Sequence, residues 1–226
     1  MIKQAINKIL EKMGLKTFEI SKGEIKDLLN KEDPIILEVG CNDGTDTLDF
    51  LETFKDCKIY CFEPDPRAID KFKVNDKRCK LFKVAISNED GETTFNLSGG
   101  EDPYGKKDDW DQSSSIKQPK KHLKDYPWCN FDKKIKVETK KLDTWAKENN
   151  INKADFIWAD VQGAEKELIE GGLNILNNTN YFYTEFYDEE MYEGQLNLQQ
   201  ILDLLPNFKV VKKFGNNVLL KNKVYK

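Results

Sequence analysis

The first residues with recognisable chemistry lie in the run Glu38-Val39-Gly40-Cys41-Asn42-Asp43-Gly44-Thr45. Gly40 and Gly44 permit a tight turn and a close approach of backbone to ligand. Glu63 follows about 20 residues beyond Gly40 and leads into Pro64-Asp65-Pro66, the distance at which a carboxylate bonds two ribose hydroxyls. A dinucleotide loop needs G-x-G-x-x-G, and this one lacks the middle glycine. Asp43 also argues against a pyrophosphate, since like charges repel. The same acidity suits a ribose-bearing ligand that has no phosphate but carries a sulfonium and an ammonium, as S-adenosylmethionine (SAM) does. Two glycines alone describe an ordinary strand–turn–helix corner, and Glu63 is what moves the reading towards a cofactor.

Three side chains are candidates for taking a proton: His122, Asp160 and Glu185. An alcohol holds its proton tightly, and histidine is the usual base near neutrality. His122 is the only histidine in the chain. Lys120, Lys121 and Lys124 around it would keep it neutral, and they equally describe a surface histidine on a solvated face. Asp160 and Glu185 each follow a predicted central strand and should project at one edge. With Glu165 or Asp188 they would also form an oxygen-rich Mg²⁺ site. No H-x-x-E or D-x-D pattern accompanies them, so separate carboxylates bonding substrate hydroxyls is the stronger reading, and no metal ligand is assigned. Ser113-Ser114-Ser115 reads either as a linker or as a hydrogen-bonding run, and no G-x-S-x-G elbow marks a nucleophile. Tyr187, Tyr192, Trp110 and Trp128 offer stacking surface for a sugar ring, although aromatic stripes are more often core.

The elements that must position these residues follow from hydrophobic pattern. Apolar runs at Pro34–Gly40, Lys58–Phe62, Lys80–Ile86, Ala154–Ala159 and Tyr181–Tyr187 predict strands. Helical patterns at Thr45–Phe54, Pro66–Val74, Leu142–Asn149, Ala164–Leu176 and Leu196–Leu205 fall between and beyond them. Further strands are predicted at Gly91–Leu97 and Lys134–Thr139. Phe208–Phe214 and Asn217–Leu220 form a hairpin at Gly215-Asn216. Such alternation predicts a mostly parallel α/β sheet, with ligands bound beyond the carboxyl ends of its strands. Residues 98–130 are polar and aperiodic, which predicts a lid or binding loop. Residues 1–33 read as an N-terminal helical segment of two short helices, the second starting at a capping box on Ser21. The 34–226 domain carries the insertion.

Composition bounds the function. The chain has 226 residues, 38% hydrophobic and 34% charged, with a net charge of −4. An acidic balance with only Arg67 and Arg78 as arginines does not favour a nucleic-acid partner. No apolar run is long enough to span a bilayer. The five cysteines are an odd number without a C-x-x-C pair, so buried free thiols and a reducing, cytoplasmic location are expected.

ILEVGCNDGTDT, YCFEPDP, VAISNEDGETTFN, SSSIKQPKKHL and KLDTWAKENNINKADFIWADVQGAEKELIEGG together resemble the FkbM family of SAM-dependent methyltransferases, over roughly residues 34–194. The serine run, the leucine-aspartate before a helix and D-V-Q-G-A-E carry most of the specificity. The resemblance implies a Rossmann-like class I methyltransferase fold, which with the pattern above makes a mostly parallel seven-stranded sheet with an antiparallel C-terminal hairpin and an inserted lid. It implies that Glu38, Gly40, Asn42 and Asp43 surround the methionine part of SAM and that Glu63 holds the ribose. Val84, Ala85 and Ile86 would sit near adenine, Pro64 and Ser114 would add cofactor contacts, and Asp160 would face the reacting methyl. One departure is Trp158-Ala159, where the family usually has lysine and isoleucine. The expected activity is O-methylation of a hydroxyl on a sugar, glycan or small polar metabolite. His122→Ala or Asp160→Ala is then expected to reduce turnover more than SAM affinity. A non-catalytic SAM-binding protein is the alternative that Trp158-Ala159 keeps open. A nucleic-acid methyltransferase lacks support, because D-V-Q-G stands where an N-P-P-Y-like loop would hold a flipped base.

Overall fold

The computed structural model describes residues 19–100 and 110–225. The first of the two expected N-terminal helices and the 101–109 part of the expected insertion lie outside the described residues. Ser21 starts helix α1 (Lys22–Leu29) with the predicted capping box. Its side chain accepts from the Glu24 amide, and the Glu24 side chain reaches back to the Ser21 amide.

The strands in chain order are β1 (Ile35–Val39), β2 (Lys58–Phe62), β3 (Cys79–Phe82), β4 (Ala85–Ile86), β5 (Gly91–Gly99), β6 (Asn130–Lys140), β7 (Ala154–Ala159), β8 (Thr179–Glu185), β9 (Phe208–Phe214) and β10 (Asn217–Asn222). The main sheet runs β3-β2-β1-β7-β8-β10-β9. Its first five strands are mutually parallel, and β10 is antiparallel to both neighbours. This is the expected mostly parallel α/β sheet with an antiparallel terminal hairpin. The order reverses at β1, between β1 and β7, and open α/β sheets bind ligands beyond the strand ends at such a point.

The expected third strand divides. Cys79–Phe82 continues the main sheet, and Ala85–Ile86 leaves it to pair with β6 in a second, three-stranded sheet. Ala85 packs there with Phe95, Leu97 and Val137, a small core that the alternation of a single run could not reveal. The expected helix 164–176 also divides, at Gly172, into two pieces. The helices after α1 are α2 (Thr45–Thr53), α3 (Pro66–Lys71), α4 (His122–Asp125), α5 (Leu142–Glu148), α6 (Glu165–Gly171), α7 (Leu173–Asn177) and α8 (Leu198–Leu204).

Strand alternation splits the core between the two faces of the sheet. Leu37, Val39, Ile157 and Phe182 pack on one side. Ile36, Cys61, Trp158 and Tyr183 pack on the other, together with Ile25 of α1 and Phe50 of α2. Glu38 shares this second face, opposite Cys61 on β2 and Trp158 on β7.

Candidate active site

At the end of β1 the chain must reverse into α2, and Gly40 makes this possible with φ of +84°. A Cβ there would lie 1.9 Å from the carbonyl oxygen of Asp160, so the β1 turn and the β7 tip are in direct backbone contact. The Asp160 amide, in turn, donates to the Val39 carbonyl at 2.9 Å. Glu63 closes the same turn from β2. One carboxylate oxygen accepts from the Asn42 amide at 2.9 Å and the other from the Asp65 amide at 2.8 Å. Glu63 is buried, and that burial pushes its carboxyl up to about 8 against the pull of the two amides. Glu38 lies deeper, accepting from the Thr47 hydroxyl at 2.7 Å. Burial, and secondarily the charge of Asp46, push it up to about 8 as well. Asp43 turns to its own helix start and accepts from the amide and hydroxyl of Thr45.

The loop after β7 is the second wall. Asp160 is exposed and accepts from the Gln162 side-chain amide. Gln162 and Gly163 both have positive φ, and a Cβ on Gly163 would meet the Tyr192 side chain at 2.5 Å. Behind them Glu165 is fully buried and accepts from the Gly163 amide at 3.3 Å. Burial pushes its carboxyl up to about 7.

The serine run is a structural tie between these walls. Ser114 donates to Asp65 at 3.0 Å and receives from Arg67 at 3.1 Å. Arg67 also forks onto Asp65, at 2.7 and 3.1 Å, and reaches the Ser98 carbonyl at 2.8 Å. Ser115 donates to the Gln162 carbonyl at 2.6 Å, and the Tyr192 hydroxyl donates to the Ser113 carbonyl at 2.7 Å. The insertion is thereby anchored to the ends of both β2 and β7. Arg67, Gln162 and Tyr192 were not assigned these roles by sequence reasoning. One signal was available: both arginines of this lysine-rich chain follow an aspartate by two positions, and both fork back onto it.

The other expected site residues are distributed as follows. Pro64 is half-buried directly after Glu63, at the tip of β2. Val84 and Ile86 belong to the main core, and Ala85 to the small one. Glu185 is half-buried at the β8 tip, opposite Asn217. His122 is buried rather than on the solvated surface, its ring 4.9 to 5.4 Å from those of Tyr126, Phe131 and Tyr192. Burial lowers its pKa and keeps it neutral. Tyr192 is buried too, so its ring is wall, whereas Trp110, Trp128 and Tyr187 remain partly open. Among the described residues no group of three or more His, Cys, Asp or Glu side chains is arranged to hold a metal ion. No helix among them is long and apolar enough to cross a membrane.

Comparison with known proteins gives three findings. Residues 38–217 match the family model described as the methyltransferase FkbM domain. The chain is 47% identical over 206 residues to the 2-O-methyltransferase NoeI of Sinorhizobium fredii (strain NBRC 101917 / NGR234), a match covering 88% of this chain and 84% of that protein. Solved structures are more distant. An rRNA methylase from Streptococcus thermophilus has 12% identity and a TM-score of 0.46, covering 90% of this chain and 97% of that one. A TehB-like SAM-dependent methyltransferase from Corynebacterium glutamicum has 11% identity and a TM-score of 0.43, covering 95% and 93%.

Proposed function

This chain belongs to the FkbM methyltransferase family, and from that premise we propose that it moves a methyl group from SAM to a hydroxyl oxygen of a sugar, glycan or small polar metabolite. The family makes it a methyltransferase enzyme, and the relative's being a 2-O-methyltransferase supports oxygen as the acceptor atom. The observation that carries the cofactor reading is the buried Glu63 carboxylate, held by two backbone amides at the mouth of the first glycine turn. Glu38, Asp43 and Glu63 gather acidic oxygens around one turn. That donor set fits ribose hydroxyls and a cationic ligand, and it disfavours phosphate.

When bound, SAM supplies an electrophilic methyl whose bond to sulfur breaks as the bond to oxygen forms, leaving S-adenosylhomocysteine. Glu63 bonds the ribose hydroxyls. Glu38, Gly40, Asn42 and Asp43 surround the methionine end, with Pro64, Val84, Ala85, Ile86 and Ser114 on the adenosine side. Asp160 is exposed and touches the cofactor turn through Gly40, so it takes the proton that the acceptor hydroxyl loses. Glu185 bonds acceptor hydroxyls from the neighbouring strand tip, and His122 braces Tyr192 from behind. Alignment of acceptor and donor supplies most of the rate gain. The five free cysteines agree with a cytoplasmic enzyme.

Release of S-adenosylhomocysteine from SAM tests this, with neutral oligosaccharides in one arm and an RNA oligonucleotide in the other. Turnover confined to RNA would overturn the acceptor class. Asp160→Asn is expected to lower kcat by about 10² to 10⁴ with SAM affinity kept. An unchanged kcat would remove Asp160 from the proton path.

A further inference from the structure

Lys22 is the first residue of α1, outside the residues that match the family model. Lysine is almost never fully buried unless paired, yet Lys22 is only 7% exposed. Its ammonium lies 2.7 Å from Asp46 and 3.4 Å from the centroid of the Trp158 ring, with the Phe50 ring at 4.7 Å. Trp158 is fixed from its other neighbours, stacked on Tyr183 at 4.4 Å and edge-on to Phe50 at 5.8 Å. It sits in register with Glu38 on the adjacent strand, on the same face of the sheet. The ammonium is therefore held by a π face and a carboxylate beside the buried Glu38.

We propose that Lys22 is a positioning residue for cofactor binding: held over Trp158 and against Asp46, it sets a positive charge beside Glu38, and so makes the N-terminal helix part of the methyl-donor site. This rests on the reading that Glu38 bonds the methionine end of SAM.

The groups around Glu38 give the sign. Asp46 and Thr47 face it from α2, Cys61 from β2, Cys41 from the turn and Cys79 from β3. Burial and Asp46 push its carboxyl up, while Thr47, Lys22 and Cys61 pull it down. Lys22 is the one cation in that set. A stem that keeps the volume but loses the charge removes the pull of Lys22 and leaves the push of burial and Asp46, so Glu38 needs a higher pH to ionise. The π face of Trp158 favours the ammonium that lies over it.

The test is SAM affinity by calorimetry from pH 6 to 9. Lys22→Met is expected to weaken SAM about tenfold at pH 7, corresponding to a shift of about one pKa unit. The loss shrinks to about twofold at pH 9, and Lys22→Arg keeps the parent profile. Should Lys22→Met fail to fold by circular dichroism, Lys22→Gln, which still donates to Asp46, is expected to show the same shift. In a Glu38→Gln background the Lys22 substitution is expected to have no further effect on the profile. A folded neutral variant with the parent's pH profile overturns the proposal. Glu38→Gln binding SAM like the parent at every pH overturns the underlying reading of Glu38 instead, so the two failures are distinguishable.

Discussion

Glu63→Gln isolates the ribose contact, because it removes the charge and keeps the side chain's size. In the free protein Glu63 accepts two backbone amides at 2.8 and 2.9 Å, and burial pushes its carboxyl up to about 8. Two ribose hydroxyls on an ionised carboxylate contribute about 1.5 to 3 kcal/mol each. Ionising the buried acid at pH 7 costs about 1.4 kcal/mol of that. The remainder, about 1.6 to 4.6 kcal/mol, predicts roughly 15- to 2,000-fold weaker SAM binding in the variant. The pH profile adds a second, independent signature. Only about a tenth of a group with that pKa is ionised at pH 7, against most of it at pH 9. Parent affinity therefore rises across this range, with Glu63 and Glu38 each contributing about tenfold. Glu63→Gln retains only the part due to Glu38. Calorimetric titration of SAM at pH 7 and 9, with circular dichroism to show that the fold persists, reads both numbers. Binding within twofold of the parent at pH 9 would refute the placement of the ribose.

Two further outcomes concern stability. Gly40→Ala places a Cβ 1.9 Å from the Asp160 carbonyl oxygen at a φ of +84°. It is expected to cost about 3 kcal/mol or more and to lower Tm by roughly 10 °C, read by thermal denaturation. The SAM-free protein should lose stability as pH rises from 5 to 8. Glu38, Glu63 and Glu165 are raised in the fold to about 8, 8 and 7. Groups whose folded pKa is raised stabilise fully below the unfolded value and lose that contribution as pH climbs through the folded one. Each group that stays protonated in the fold contributes a slope of about 1.4 kcal/mol per pH unit. A denaturant midpoint that increases over this range would contradict the burial of these acids.

Much of this protein was legible in one dimension. The alternation of apolar runs with helical patterns specified the parallel sheet and the terminal hairpin, because periodicities of 2 and 3.6 are local properties. The residues after each strand could be picked out for the same reason: parallel connection puts successive strand ends on one edge. The capping box at Ser21 depends on three neighbouring residues and was readable as such.

What the sequence could not decide is where side chains from distant segments meet. Lys80–Ile86 looks like one strand, and only a partner in the second sheet pulls Ala85–Ile86 away. His122 looks like one more member of a lysine cluster, but Tyr126, Phe131 and Tyr192 enclose it. Ser114 reads either as linker or as part of a hydrogen-bonding run, and its partners are known only once Asp65 and Arg67 are brought to it across the fold. Nothing local in the sequence pairs Lys22 with Asp46 and Trp158, which close around its ammonium in the fold. Burial and pairing are properties of packed surfaces that converge from separate parts of the chain. They set the charge states on which the chemistry depends, and so the tertiary structure alone determines them.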